Sequence, residues 1–541
     1  MKKKLLSVLV MMVLFLPVWA EGVAAPQVEQ VRRLSGIDYA VVAAFFVVMI
    51  GVGLWFGRRS KNTDQFFGGD HCVPWWLSGV SFYMCSFSAL AFVMYSAMAY
   101  KYGWVPVTVS WLSVPAVLLG VKFLAVRWRR AAKRSPVEFV ATRYTARTCK
   151  SLVWLGLPMQ VLDNAFKLLA IGTVLGTMAK SLFPEGYPLS TVLGWAIAVS
   201  GVVIVFYTFL GGLKATLVCD FIQFFVILAV VLTLPFLCLG RLSALDGGAG
   251  LAHGLNVFLQ RAPEGFFRLT NGQYDWCYMV VFFFLVGSNL STTWSLVQRY
   301  SSTKSEKDAR RMGYLVSALL FLGPPIFFFP AMAARVFIPD LNMDSSDAMN
   351  GVYATICLQV LPSGLIGLVV AAMFSATMST LAGGYNAISS VLTNEIYGRV
   401  NPTASTKDRM RAARLFTILV GIAVVGLTFL MRAAQGKSDL FDVTNKMFAV
   451  FLPPIALTML AGVLIRSLSK RAGVCGLAGG IGVGLVVFIA GAWYPPLRQM
   501  APMTAITCLT TFAGLFAGTK CLPDTPSERE QVEAFHRSLE G

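Results

Sequence analysis

Ala376, Ser379 and Thr380 stand at i, i+3 and i+4 within residues 371–397, AAMFSATMSTLAGGYNAISSVLTNEIY. On a helix this spacing gathers one backbone carbonyl and two hydroxyl oxygens on a single face. Such oxygens can wrap a hard monovalent cation, and in lipid they persist only where something satisfies them. Small and hydroxyl residues also let membrane helices pack closely, so on this stretch alone both uses stand open. A second group is Asp163, Asn164 and Lys167 in MQVLDNAFKLLAIG. Asp163 and Lys167 lie one turn apart on one face, too deep in an apolar run to snorkel out. Charges placed there are costly unless they face a cavity or a partner. They either contact a solute or form a self-satisfied pair lining a bundle. Asp442 and Lys446 repeat the spacing nearer a helix start, where a solvated end accounts for them.

The elements that must position these groups are membrane helices. Of 541 residues, 56% are hydrophobic and 13% charged, which describes an integral membrane protein. The net charge of +19 would suggest nucleic acid in a soluble chain. Here the basic residues fall in short loops such as RWRRAAKRS and GRVNPTASTKDRMRAAR, where they set topology, so no nucleic-acid partner is expected. The ten cysteines follow no disulfide or metal spacing. Residues 1–20 have the basic start, short apolar run and small-residue end of a signal peptide, followed by a periplasmic segment over 21–36. A transporter domain over 37–519 holds about thirteen spans of roughly 20 residues each, and 520–541 form a cytoplasmic tail. With the N-terminus outside, odd parity puts the C-terminus inside, and most Lys and Arg then fall on the inner side as the positive-inside rule requires.

Two spans carry polar clusters in mid-run: SFYMCSFSAL in the second and LVGSNLSTT in the seventh. Placed five spans apart, they predict two five-helix repeats, about 75–240 and 274–465, each opening with a broken helix whose freed backbone groups line a midplane site.

The chain resembles the sodium:solute symporter family, which includes sodium/glucose, sodium/proline and sodium/sialic acid cotransporters. The resemblance rests on FFGGDHCVPWWLSGVSFYMCSFSALAF, YTFLGGLKATLVCDFIQ, VQRYSSTKS and AAMFSATMSTL, in family order over roughly residues 37–470. It implies an all-α broken-helix, five-plus-five inverted-repeat fold and sodium-driven import by alternating access. It also implies a sodium site built from the Met84 and Phe87 carbonyls, the Ala376 carbonyl, and the Ser379 and Thr380 hydroxyls. Such a neutral cage suits Na⁺, since a carboxylate would hinder release.

Departures from the family narrow the reading. Asp220, assigned to the ion path, matches the Asp that helps some relatives hold a second sodium, but the next turn of the ion helix reads Ala382-Gly383 and offers no side-chain oxygen. One Na⁺ per solute is therefore expected. Leu90 and Ala91 replace polar residues of sugar transporters, and Thr293 replaces an Asn, which puts a glucose-like mode in doubt. Ser86, Ser88, Asp163, Asn164, Lys167 and Thr293 are the candidate solute contacts, with Lys167 meeting an anionic or strongly polar group. The expected solute is a small polar molecule such as a sugar, a sugar acid like sialic acid, or another carboxylate. Amino-acid or inorganic-anion symport and a transporter-like sensor are the alternatives. No HExxH, acidic metal cluster or nucleophile with a base supports an enzyme, and no cofactor beyond Na⁺ is expected. The expected location is the bacterial inner membrane, and the sequence does not fix an oligomeric state.

Overall fold

The structure is a computed structural model describing residues 35–540 except 58–62, 87–90, 132–134, 180–186, 273, 340, 342–345, 363, 435–439 and 492. The signal-peptide reading of 1–20 falls outside these residues, as does nearly all of the 21–36 segment. The described residues are helical, with two isolated β-bridges and no strand. Eight of their helices are long and apolar enough to cross a membrane, or nine when the bent pair Trp276–Thr292 and Trp294–Ser302 is taken as one.

Two breaks shape the bundle. The first lies within Leu189–Leu245, where non-helical backbone at Gly212 kinks the chain between the spans expected at 190–210 and 214–240. Gly212 has φ 59°, and a Cβ there would lie 2.9 Å from the Phe66 carbonyl oxygen, so the second glycine of YTFLGG is needed for both conformation and space. The second break is at Thr293, whose ψ of 125° ends Trp276–Thr292 and turns the next helix by 51°. It falls within the polar cluster LVGSNLSTT, where freed backbone groups were expected. The other break was expected within SFYMCSFSAL, of which 87–90 lie outside the described residues; they stand between helix Trp75–Ser86 and a π turn at Ala91–Tyr95.

Helix Leu365–Val391 is the axis. Four-fifths of its apolar window (83%) is buried, against 22% for the first span, so protein rather than lipid surrounds it. Helices Trp75–Ser86, Ala146–Ala179, Leu189–Leu245 and Thr406–Ala434 pack on it. Its start is fixed by Asp38, a fully buried carboxylate that accepts from the backbone N–H groups of Gly364 at 2.8 Å and Gly367 at 2.6 Å. The carboxylate satisfies donors a helix leaves unpaired in its first turn and complements the positive end of its dipole.

The tail, read from sequence only as too short for a domain, is a docked helix, Pro526–Glu540. Val532, Phe535 and Leu539 bury its apolar face, and the Phe535 ring stacks 6.4 Å from that of Phe139. Arg130 donates to the Leu539 carbonyl at 2.7 Å, and Asp524 accepts from the Lys470 N–H at 2.7 Å. These bonds join the tail to two segments distant in sequence, the helix Ala125–Ala131 and the turn at Lys470.

Candidate functional site

The oxygen face of Leu365–Val391 meets the end of Trp75–Ser86. Thr380 Oγ1 donates to the Ala376 carbonyl at 2.9 Å and stands 3.4 Å from the Met84 carbonyl oxygen. At the neighbouring residues, Cys85 Sγ lies 3.6 Å from the Ser379 carbonyl and 3.8 Å from its hydroxyl. Ala376, Ser379, Thr380 and Met84 are all buried. Four of the five expected sodium ligands are thus brought together from segments nearly 300 residues apart; Phe87, like Ser88, lies outside the described residues.

Asp220 sits behind this face, fully buried. It accepts a hydrogen bond from the Ser81 hydroxyl, and Arg299 Nη2 lies 3.8 Å from it. Arg299, also fully buried, donates to Ser81 Oγ at 3.2 Å and to the Ser295 carbonyl at 2.9 Å. A buried carboxylate without a cation would be costly, and the guanidinium supplies that cation. A Cβ on Gly383 would lie 3.0 Å from Arg299 Nη2 and 2.9 Å from Cys85 Sγ, so the turn that lacks a side-chain oxygen is also the turn against which the guanidinium packs.

Beside the oxygen face lies a cavity of about 240 Å³. Ser86, Asp163, Asn164, Lys167 and Thr293 all line it, as does Thr380. Lys167 Nζ donates to Asp163 at 2.6 Å, and both side chains keep a minor share of their surface open, 16% and 15%. Asn164 donates to the Gln160 carbonyl at 2.6 Å. A Cβ on Gly384 would lie 2.5 Å from Asn164 Oδ1, so a glycine is required for Ala146–Ala179 to approach the ion helix this closely. Ser86 spends its hydroxyl on the Phe82 carbonyl at 2.8 Å, and Thr293 donates to Asn289 Oδ1 at 2.6 Å. Both line the wall with their hydrogens already committed.

Sequence reading missed Gln160, Asn289, Tyr83, Tyr95, Phe282 and Phe328 in the lining. For Gln160 a signal was present: with Asp163, Asn164 and Lys167 it completes an i, i+3, i+4, i+7 polar face. Asn289 precedes Thr293 by one turn in the cluster already noted. The aromatic wall comes from three separate segments and leaves no local pattern.

Broken helices around a buried oxygen face, beside a cavity with polar groups and aromatic walls, define a solute carrier of the membrane. The model of the sodium:solute symporter family matches residues 66–480. The sodium/sialic acid symporter SiaT of Proteus mirabilis is 25% identical over 521 residues, covering 93% of this chain and all of that one. The sodium/glucose cotransporter of Vibrio parahaemolyticus is 24% identical, covering 86% and 88%. Among solved structures, a substrate-bound, outward-open Na⁺-coupled sialic acid symporter superposes with a TM-score of 0.76 at 22% identity, covering 91% of this chain and 99% of that one. The bromovinylhydantoin-bound nucleobase-cation-symport transporter MHP1 superposes at 0.52 and 15%, so the fold is shared beyond the family. The chain belongs to the sodium:solute symporter family. It is a multi-pass, sodium-coupled solute transporter and not an enzyme.

Proposed function

We propose that this protein imports a small sugar acid, or a comparable carboxylated polar solute, together with one Na⁺. The observation that carries the proposal is the double position of Thr380, whose hydroxyl belongs to the oxygen face while its side chain lines the cavity holding Lys167. Ion and solute then share a wall, which is what coupling requires. Met84, Phe87, Ala376, Ser379 and Thr380 hold Na⁺, tying the first core helix to Leu365–Val391 and favouring the outward-open state. Ser86, Ser88, Asn164 and Thr293 shape the solute site, and Lys167 meets the solute's carboxylate. Asp220, paired with Arg299, takes no second Na⁺. Inward opening separates the two helices and releases the ion.

Two relatives supply the solute classes in play: sialic acid, which is a sugar acid, and glucose. The Asp163–Lys167 pair in the wall supports the acid. The setting is an inner-membrane protein of thirteen spans and two inverted five-helix repeats, N-terminus outside and C-terminus inside, using no organic cofactor and binding no nucleic acid.

The energetics depend on solute charge. One Na⁺ with a monocarboxylate carries no net charge, so a tenfold sodium gradient of about 1.4 kcal/mol supports about tenfold accumulation. The membrane potential, about 2.3 kcal/mol per charge at 100 mV, adds to this only for a solute neutral overall. The test is a thermal-shift screen of purified protein in sodium and in potassium against sugars, sugar acids, amino acids and small carboxylates. Stabilisation by acids only in sodium supports the proposal, and stabilisation by neutral sugars alone refutes it.

A further inference from the structure

Asp163 and Lys167 form a unit of zero net charge, and among the described residues no other charged side chain lines the cavity. Lys167 is the one described side chain that donates to Asp163. If a solute carboxylate shares the Lys167 ammonium with Asp163, two negative charges are held on one cation. If it draws Lys167 away, Asp163 keeps a charge without a partner. Asn164 donates to the Gln160 carbonyl rather than to Asp163, and its Oδ1 is a further buried acceptor with no donor among the described residues. This wall therefore offers one cation and an excess of unfilled acceptors.

From this surplus we infer that the solute must carry, besides its carboxylate, a hydrogen-bond donor that docks on Asp163 when the carboxylate takes Lys167. A hydroxyl, an amide N–H or an ammonium would serve. The inference rests on the carboxylate reading above and narrows it: Asp163 becomes the specificity-determining residue that rejects plain carboxylates, as a site with buried acceptors rejects an analogue lacking the donor.

Four probes of similar ring size separate the two claims. Glucuronate and N-acetylneuraminate carry a carboxylate and donors, cyclohexanecarboxylate carries the carboxylate alone, and glucose carries the donors alone. Binding is measured calorimetrically on the full-length wild-type protein in sodium. At least one of the two donor-bearing acids is expected to bind ten times or more tighter than cyclohexanecarboxylate and than glucose. In Asp163→Asn the preference for the donor-bearing acid over cyclohexanecarboxylate should fall below about threefold, while Asp163→Glu should retain it. Equal wild-type binding of cyclohexanecarboxylate overturns the donor requirement and leaves the carboxylate reading standing. Failure of both donor-bearing acids, with or without binding of glucose, overturns both.

Discussion

Replacing Thr380 by alanine removes one hydroxyl oxygen from the junction between Trp75–Ser86 and Leu365–Val391 and little else. Thr380 is 3% exposed, and its hydroxyl contacts include the Ala376 carbonyl at 2.9 Å and the Met84 carbonyl at 3.4 Å. Alanine is the strongest helix former, so the helix itself should persist. With about five oxygens around the ion, losing one charge-assisted contact costs about 1.5–3 kcal/mol, which corresponds to roughly a 10- to 150-fold rise in half-saturating sodium. The assay is sodium-dependent thermal stabilisation at constant ionic strength, which needs no knowledge of the solute. Thr380→Ser keeps the oxygen and should stay close to wild type. Ser375→Ala is the control: its hydroxyl serves only the Ala371 carbonyl, at 2.7 Å, on the same helix. Unchanged half-saturation in folded Thr380→Ala and Ser379→Ala would refute the site assignment.

Other consequences are as direct. At zero membrane potential, equilibrium accumulation in proteoliposomes should rise about tenfold for each tenfold sodium gradient, as one Na⁺ per solute requires; a hundredfold rise would mean that Asp220 holds an ion despite Arg299 at 3.8 Å. Lys167→Met should fold and respond to sodium yet lose the solute, and wild-type transport by the Asp163→Asn/Lys167→Met double mutant would make the pair purely structural. At the tail, burial, and then Arg143, Arg466 and Arg127, push His536 down from 6.5 to about 4. A lowered histidine favours the docked state above its free value. Docking of Pro526–Glu540 should therefore be intact above pH 6.5 and weaken as pH falls toward 4. Hydrogen exchange of that helix at about pH 7.5 and pH 5 checks this, and His536→Phe should remove the difference.

The groups that sequence reading located are those whose signal is local. Ala376, Ser379 and Thr380 stand out because helical periodicity alone puts their oxygens on one face. Asp163 and Lys167 stand out because ionised residues in an apolar run require an explanation. Their partners do not, because each arrives from a distant segment. The cap on Leu365–Val391 comes from Asp38, whose acceptance from Gly367 spans 329 positions. Arg299 was visible in VQRYSS but not its position against Asp220 and Gly383, which depends on how Trp294–Ser302 turns after Thr293. The tail helix was missed because Val532, Phe535, His536 and Leu539 make a short apolar stripe that becomes a helix by docking rather than by propensity. The separation of 190–210 from 214–240 was legible because the YTFLGG glycines interrupt the apolar run, and the non-helical backbone at Gly212 falls between the two ranges.

Solute uptake into proteoliposomes holding purified protein, driven by an inward sodium gradient, tests sodium-coupled import of a carboxylated solute most directly. A radiolabelled donor-bearing sugar acid should accumulate above its external concentration with sodium outside. Collapsing the sodium gradient should abolish that accumulation, and an imposed potential should leave it nearly unchanged, since one Na⁺ and one monoanion move together. Accumulation of the acid driven equally well by potassium, or uptake of neutral sugar but not of any carboxylated solute, would contradict the account.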